Sequence, residues 1–197
     1  MINQTTKIIR IIFILILILG AIPFSIAAKT PNHLILKPES KLWLTGDSTL
    51  HAYKSEATEI IVSAEGGKRL LRKFDVEVSV KGLKSGKKTL DKKMIKLLLA
   101  DENPSVHFHL ISYKAPLASQ KINFPIEVIG NLSLAGVTRT VSLEGQVEVQ
   151  ERGFHIQGET SLLMTDFGIE PPTMLAGALK TDDQVIVHYD IFLEFEK

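Results

Sequence analysis

Near its C-terminus the chain reads Val185-Ile186-Val187-His188-Tyr189-Asp190-Ile191-Phe192-Leu193-Glu194-Phe195. Val185, Val187, Tyr189, Ile191, Leu193 and Phe195 hold one parity across those eleven residues. A period of two sustained that long specifies a strand with one buried face. The signature recurs upstream. Phe74, Val76, Val78 and Val80 alternate with Asp75, Glu77 and Ser79, and Val106, Phe108 and Leu110 alternate with His107 and His109. Val141, Leu143, Val147 and Val149 sit against Ser142, Glu144, Gln146 and Glu148. Shorter or less regular strands are expected at 42–45, 49–64, 124–134 and 154–164.

Turn chemistry separates these runs: Gly66-Gly67, Gly82 with Gly86, Gly136 and Arg152-Gly153 fall where they end. About eight strands in meander order result, and eight antiparallel strands close naturally into a small barrel without exposed sheet edges. One segment breaks the period. In 89–101, Leu90, Met94, Leu97 and Leu98 follow helical spacing, with Asp91, Lys92, Lys93 and Lys96 on the other face. Thr89 or Asp91 is suited to cap its start, and Pro104 prevents its continuation. The expected fold is all-β: a single antiparallel eight-stranded barrel with one amphipathic helix between strands, plugging or covering it.

Alternation does not say which face is inside, because an outer-membrane barrel also alternates, with its apolar face in lipid. Such strands take about 9–11 residues and carry aromatic girdles. Here several expected strands, such as 74–80, are shorter, aromatics make up 7% of the chain, and there is one Trp. The apolar faces are expected to point inward.

The first residues read as an address. Lys7 and Arg10 precede an apolar run from Ile11 to Leu19, followed by Pro23 and by small residues at Ser25, Ala27 and Ala28. These are the parts of a secretory signal peptide, expected over 1–28, with cleavage after Ala27 or Ala28. An uncleaved anchor would need about 20 apolar residues, and Pro23 shortens this run. Removing the leader takes Lys7 and Arg10 from 23 basic residues and nothing from 22 acidic ones, leaving a net charge of −1. That balance gives no reason to expect a nucleic-acid partner. The chain has no cysteine, which excludes disulfides, thiolate zinc sites, cysteine nucleophiles and a lipid-modified N-terminal cysteine.

A search for catalytic sets finds little. Ser48 has Asp47 and His51 beside it, but triad members converge from separate elements, and a bend at Gly46 accounts for the segment. Asp166-Phe167-Gly168 copies a kinase tripeptide by letters alone. His107 and His109 share a strand face that should lie outside, with no local third ligand to complete a metal motif. Lys84, Lys87, Lys88, Lys92 and Lys93 read as a solvated surface or as a weak attraction to anionic headgroups. The sequon Asn131-Leu132-Ser133 falls within an expected strand. What remains is the interior, either a solid core or a cavity for one apolar ligand.

Several stretches resemble the YceI-like family, secreted polyisoprenoid-binding proteins with a lipocalin-like barrel. Thr45-Gly46-Asp47-Ser48-Thr49-Leu50-His51-Ala52-Tyr53 is similar to the family's early glycine–serine–histidine segment, and residues 83–94 to its loop into the helix. Asn103-Pro104-Ser105-Val106-His107-Phe108 resembles its next strand start. Gly130-Asn131-Leu132-Ser133-Leu134-Ala135-Gly136-Val137-Thr138 resembles its most recognisable turn, and Thr165-Asp166-Phe167-Gly168-Ile169 its late segment. The resemblance spans 40–196 as one domain. Tyr53 stands where the closer branch has tryptophan, which places the chain in a divergent branch.

The resemblance implies a periplasmic, non-enzymatic protein with no required cofactor, no catalytic residues and no metal. Its barrel would hold an isoprenoid quinone, a polyprenyl lipid or a similar apolar chain, for carriage or sequestration, in some members linked to stress tolerance. A homodimer is compatible with it; nucleic acid and stable membrane insertion after signal cleavage are not expected. The expected wall is Trp43, Leu50, Phe74, Val76, Val78, Met94, Leu98, Phe108, Leu110, Leu132, Leu134, Met164, Phe167 and Met174, with His51 orienting a polar head.

Overall fold

The computed structural model describes residues 32–67, 70–115, 122–174 and 178–196, without the side chains of Leu70 and Met174. The expected leader, 1–28, lies outside the described residues. In chain order the elements are β1 (Asn32–Leu36), β2 (Lys41–Ser48), β3 (Tyr53–Ala57), β4 (Ile60–Gly67), β5 (Leu70–Ser79), β6 (Leu83–Lys84) and α1 (Lys88–Leu97). They continue with β7 (Ser105–Lys114), β8 (Asn123–Leu134), β9 (Val137–Gln150), β10 (Gly153–Leu163), β11 (Thr173–Met174) and β12 (Leu179–Phe195).

All pairings are antiparallel, and the ring β1–β4–β5–β7–β8–β9–β10–β12 closes where β1 meets β12, Leu34 opposite Phe195. The wall is an eight-stranded meander. β1 and β2 both pair β12 and behave as one strand broken at 37–40, where Ser40 Oγ accepts the Phe192 N–H. β3 and β4 run alongside them in the same broken fashion. The expected strand 49–64 is therefore two strands, interrupted at Thr58-Glu59, with 49–52 in the preceding turn. β1 was not expected, since only Leu34 of its five residues is buried and no period can show in so short a run.

Strand length does not separate this barrel from a membrane one, because β8, β9 and β12 have 12, 14 and 17 residues. Side-chain direction does. Leu34, Val78, Phe108, Val147, Phe154, Ile191 and Leu193 are buried, while His107, His109, Glu144, Glu148 and Glu159 are exposed on the outer wall. A lipid-facing band is apolar, and this outer wall is charged.

Buried side chains form two clusters. One contains Val78, Val80, Leu83, Leu98, Met164, Phe167 and Ile169, with Met94 and Leu97 of α1 packed against it. The other contains Leu34, Ala64, Val147, Phe154, Ile191 and Leu193. The helix starts one residue before expectation and ends at Leu97, after which Leu98 and Asn103 donate N–H groups back to Met94 and Leu99. Neither Thr89 nor Asp91 caps it: the N-cap is Lys87, without a side-chain bond, and Asp91 instead accepts the Ser85 N–H and hydroxyl. Asp91 thus ties the loop before the helix rather than its first free N–H groups.

Two ladders in the wall are incomplete. β5 pairs β7 over Asp75–Ser79 only, and β9 pairs β10 only from Glu144 to Gln150. Beyond those points no pairing joins the two strands among the described residues. The 3-10 turn Met164–Phe167 lies at the second gap, where Arg139 Nε donates to the Asp166 carbonyl at 2.9 Å. Gly168 ends that turn at φ +68, a conformation that favours glycine.

Candidate functional site

Both clusters contribute to the lining of one cavity of about 890 Å³. Ligand pockets that bury most of their guest span roughly 300–1,000 Å³. The inward parity of each strand supplies the lining: Phe124, Ile126, Val128, Leu132 and Leu134 from β8, and Val185, Val187, Tyr189 and Ile191 from β12. α1 adds Leu90, Met94 and Leu97, so the helix is part of the wall.

Glycines make room for aromatic rings in that wall. A Cβ at Gly46 would lie 2.3 Å from the Tyr53 hydroxyl, one at Gly130 would lie 2.3 Å from Phe108 Cζ, and one at Gly158 would lie 2.6 Å from the Tyr189 hydroxyl. Gly46 and Gly158 stand directly opposite Tyr53 and Tyr189 in register. Each ring fills space that a cross-strand side chain would otherwise occupy.

All three tyrosines of the chain line the cavity. Burial, with help from Glu144 and Glu159, pushes the Tyr189 phenol up to about 12, and its hydroxyl donates to the Glu144 carbonyl. Burial also raises Tyr53, with Asp182 and Asp47 adding to it. Tyr113 is raised by burial alone and donates to the Leu71 carbonyl at 3.2 Å. These phenols stay protonated at neutral pH, as neutral polar points in an apolar wall.

Exposed lining residues gather at one mouth: Thr49, Leu50 and His51 from the β2–β3 turn, Lys93 from α1, Leu163 at the end of β10, and Lys180 in β12. Leu50 is 65% exposed. The turn is fastened to β12, because the Thr49 N–H and hydroxyl both donate to the Lys180 carbonyl. Ser48 Oγ donates to the His51 carbonyl at 2.8 Å, and Asp47 accepts the Ser48 N–H. The Asp47-Ser48-His51 constellation thus shapes a turn, with the serine hydroxyl engaged to backbone. Ala115, just past β7, is the exposed lining residue at the opposite end among those described.

Leu50, His51, Phe74, Val76, Val78, Met94, Leu98, Phe108, Leu110, Leu132, Leu134, Met164 and Phe167 all line the cavity. Trp43 does not. Leu42 and Leu44 take the inward positions of β2, which turns Trp43 outward, stacked on His188 at 5.0 Å with Lys54 Nζ 5.1 Å from its ring. Met174 pairs Leu179 through β11, and its side chain lies outside the described residues. Sequence reading missed the tyrosines, although Tyr189 shares the parity of Val187 and Ile191. His107 and His109 are on the outer face, with His109 Nδ1 against Asp75. The Asn131 carboxamide is held by the Thr140 hydroxyl.

The model of the YceI-like domain matches residues 42–193. No curated protein matches in sequence. Among solved structures, a polyisoprenoid-binding domain from Saccharophagus degradans, implicated in plant cell wall breakdown, is similar with a TM-score of 0.66 at 14% identity, over 84% of this chain and 99% of that one. BcnA of Burkholderia cenocepacia is similar with a TM-score of 0.64 at 14% identity, over 78% of this chain and 95% of the other. The Campylobacter jejuni YceI protein gives a TM-score of 0.60 at 15% identity, covering 74% and 85%. These likenesses agree on the barrel, and the matched domain covers most of the chain: it belongs to the YceI-like domain family.

Proposed function

We propose that the protein is an exported, non-enzymatic carrier that holds a long isoprenoid or similar apolar chain inside the barrel. The observation that carries this reading is the cavity of about 890 Å³, lined mainly by aliphatic and aromatic side chains. Removing an apolar chain from water stabilises it by about 25 cal/mol per Å² buried, and an interior of this kind supplies little else. Family membership points the same way, since the Saccharophagus domain is described as polyisoprenoid binding. Lys7, Arg10 and the apolar run after them support export to a periplasm. A filled barrel working only through its surface would have side chains where the cavity lies.

The test is to express the chain with its own N-terminal segment in a bacterial host and purify the protein from the periplasm. Organic extraction and mass spectrometry then identify what came with it. A polyprenyl lipid or isoprenoid quinone at near-stoichiometric amounts is expected, together with a protein mass lacking the leader. A blank from folded protein, repeated after candidate lipids are offered, would overturn the carrier reading.

A further inference from the structure

Seven large hydrophobic side chains are exposed among the described residues, and two of them, Leu50 and Leu163, also line the cavity. They flank the start of β12 at one end of the barrel. Leu163 lies opposite Gln184, and the turn carrying Leu50 follows Ser48, which lies opposite Thr181. Both positions are fixed by hydrogen bonds of their neighbours. The Thr49 N–H and hydroxyl donate to the Lys180 carbonyl, and the His51 N–H donates to Ser48 Oγ at 3.3 Å. Thr165, two residues after Leu163, donates its N–H and hydroxyl to Asp183. A leucine held out on each side of the mouth makes apolar surface continuous from the interior to the outside. The charges around this lip are of both signs. Lys180 acts on Asp183, while Asp47 and Asp182 act on Tyr53.

We infer that this lip docks on a lipid bilayer, with Leu50 and Leu163 entering its surface, so that cargo passes between membrane and cavity without crossing water. The inference rests on the carrier reading and names the partner from which the carrier loads. A chain that is stable inside an apolar barrel is equally stable among acyl chains, and the cost of leaving either grows with the apolar area exposed to water. Apolar continuity at the mouth takes that exposure out of the path. Two leucines fall far short of the roughly 1,200–2,000 Å² that a stable protein interface buries, which argues against a second copy as the occupant. They suit shallow, reversible insertion at the boundary between head groups and acyl chains, where binding grows with the apolar area buried. Because the charges of the lip are mixed, attachment should depend neither on the sign of the head groups nor on salt.

The chain has no cysteine, so Leu50→Cys, Leu163→Cys, Ile61→Cys and Ile122→Cys each accept a single nitrobenzoxadiazole label. Ile61, on β4 opposite Glu77, matches Leu50 at 65% exposed, and Ile122, just before β8, is 69% exposed. Phosphatidylcholine vesicles with nitroxide on their acyl chains quench labels that reach the bilayer. Quenching is expected at positions 50 and 163, and little at 61 and 122. Without any label, the affinity for phosphatidylcholine vesicles, read by flotation, should fall about tenfold in the double variant Leu50→Ser, Leu163→Ser. Ile61→Ser should leave it unchanged. Neither added phosphatidylglycerol nor added salt should alter these results. Thermal unfolding checks that each variant is folded. Flotation that the double variant leaves unchanged would overturn the inference, as would quenching at 61 and 122 equal to that at 50 and 163. Binding confined to phosphatidylglycerol vesicles and lost in salt would be adsorption by charge and would also overturn it. So would a dimer that the double variant breaks, since the lip would then be an interface between copies. Lipid recovered by extraction alongside any of these leaves the carrier reading standing. Docking through positions 50 and 163 by protein from which extraction recovers nothing would uphold the lip and fail the carrier reading.

Discussion

Among the described residues, the β9–β10 and β5–β7 ladders of the barrel wall both stop short, and the two gaps are closed by different means. Where β9 and β10 part beyond Glu144, the 3-10 turn lies alongside, and Met164, Phe167 and Ile169 are buried in one cluster with Val137 and Val141. Where β5 and β7 part beyond Asp75, the bond from the Tyr113 hydroxyl to the Leu71 carbonyl spans the gap, between exposed Ile111 and exposed Ala115. Buried apolar area is costly to expose, whereas one neutral hydrogen bond contributes about 1 kcal/mol net. The first seam is a plug and the second a strap. Local opening follows the weaker closure, so backbone amides around Leu71 and Tyr113 should exchange faster than those around Phe167.

The largest expected effect comes from pulling the plug. Phe167 is 2% exposed, and Phe167→Ala should lower unfolding free energy by about 3–5 kcal/mol, read as a fall in the urea midpoint. A loss below about 1 kcal/mol would mean that the 3-10 turn is not what closes this seam. Next comes Gly130→Ala, in the wall beside the strap. The new Cβ meets the Phe108 ring at 2.3 Å and the His109 carbonyl at 2.6 Å, so either the ring swings into the cavity or β7 moves. A cost of about 1–3 kcal/mol is expected, together with weaker uptake of a long chain than of a short one. Uniform weakening for both chains would show that the ring did not enter the cavity.

Much of this wall was legible because parity needs no tertiary knowledge. Val76, Val78, Phe108, Leu132 and Leu134 each sit in a run whose neighbours alternate, and burying one face places them all at once. Trp43 went astray where that rule lacks support: its run is four residues long and ends at Gly46-Asp47, so hydropathy rather than register chose its side. Tyr189 was within the longest run and was overlooked as a site residue because its polar hydroxyl hides a mostly apolar ring. The broken ladders were out of reach, since where pairing stops depends on which strands meet in three dimensions. The rings that lie over glycines belong to the same class. A glycine inside an alternating run signals close approach, but not which ring approaches it.

The smallest expected effect is also the most specific to the strap. Tyr113→Phe removes one hydroxyl and should cost about 1 kcal/mol while raising the rate of ligand exchange. Alkaline pH offers the same cut without mutation. Burial raises both Tyr113 and Tyr189, the latter to about 12, above the ordinary phenol value of 10.0. A phenol raised on folding lends stability that is whole below the unfolded value and lost as pH rises through the folded one. Stability should therefore hold up to about pH 10 and decline between there and about pH 12. Tyr113, raised by burial, gives up the proton it donates to Leu71 only above the ordinary phenol value, so the wild-type exchange rate should climb at alkaline pH towards that of Tyr113→Phe, whose own rate should change far less. Tyr189→Phe should flatten the stability decline while leaving the pH dependence of exchange in place. If the two variants exchange these signatures, the strap lies at Tyr189 and the wall opens between β9 and β10 after all.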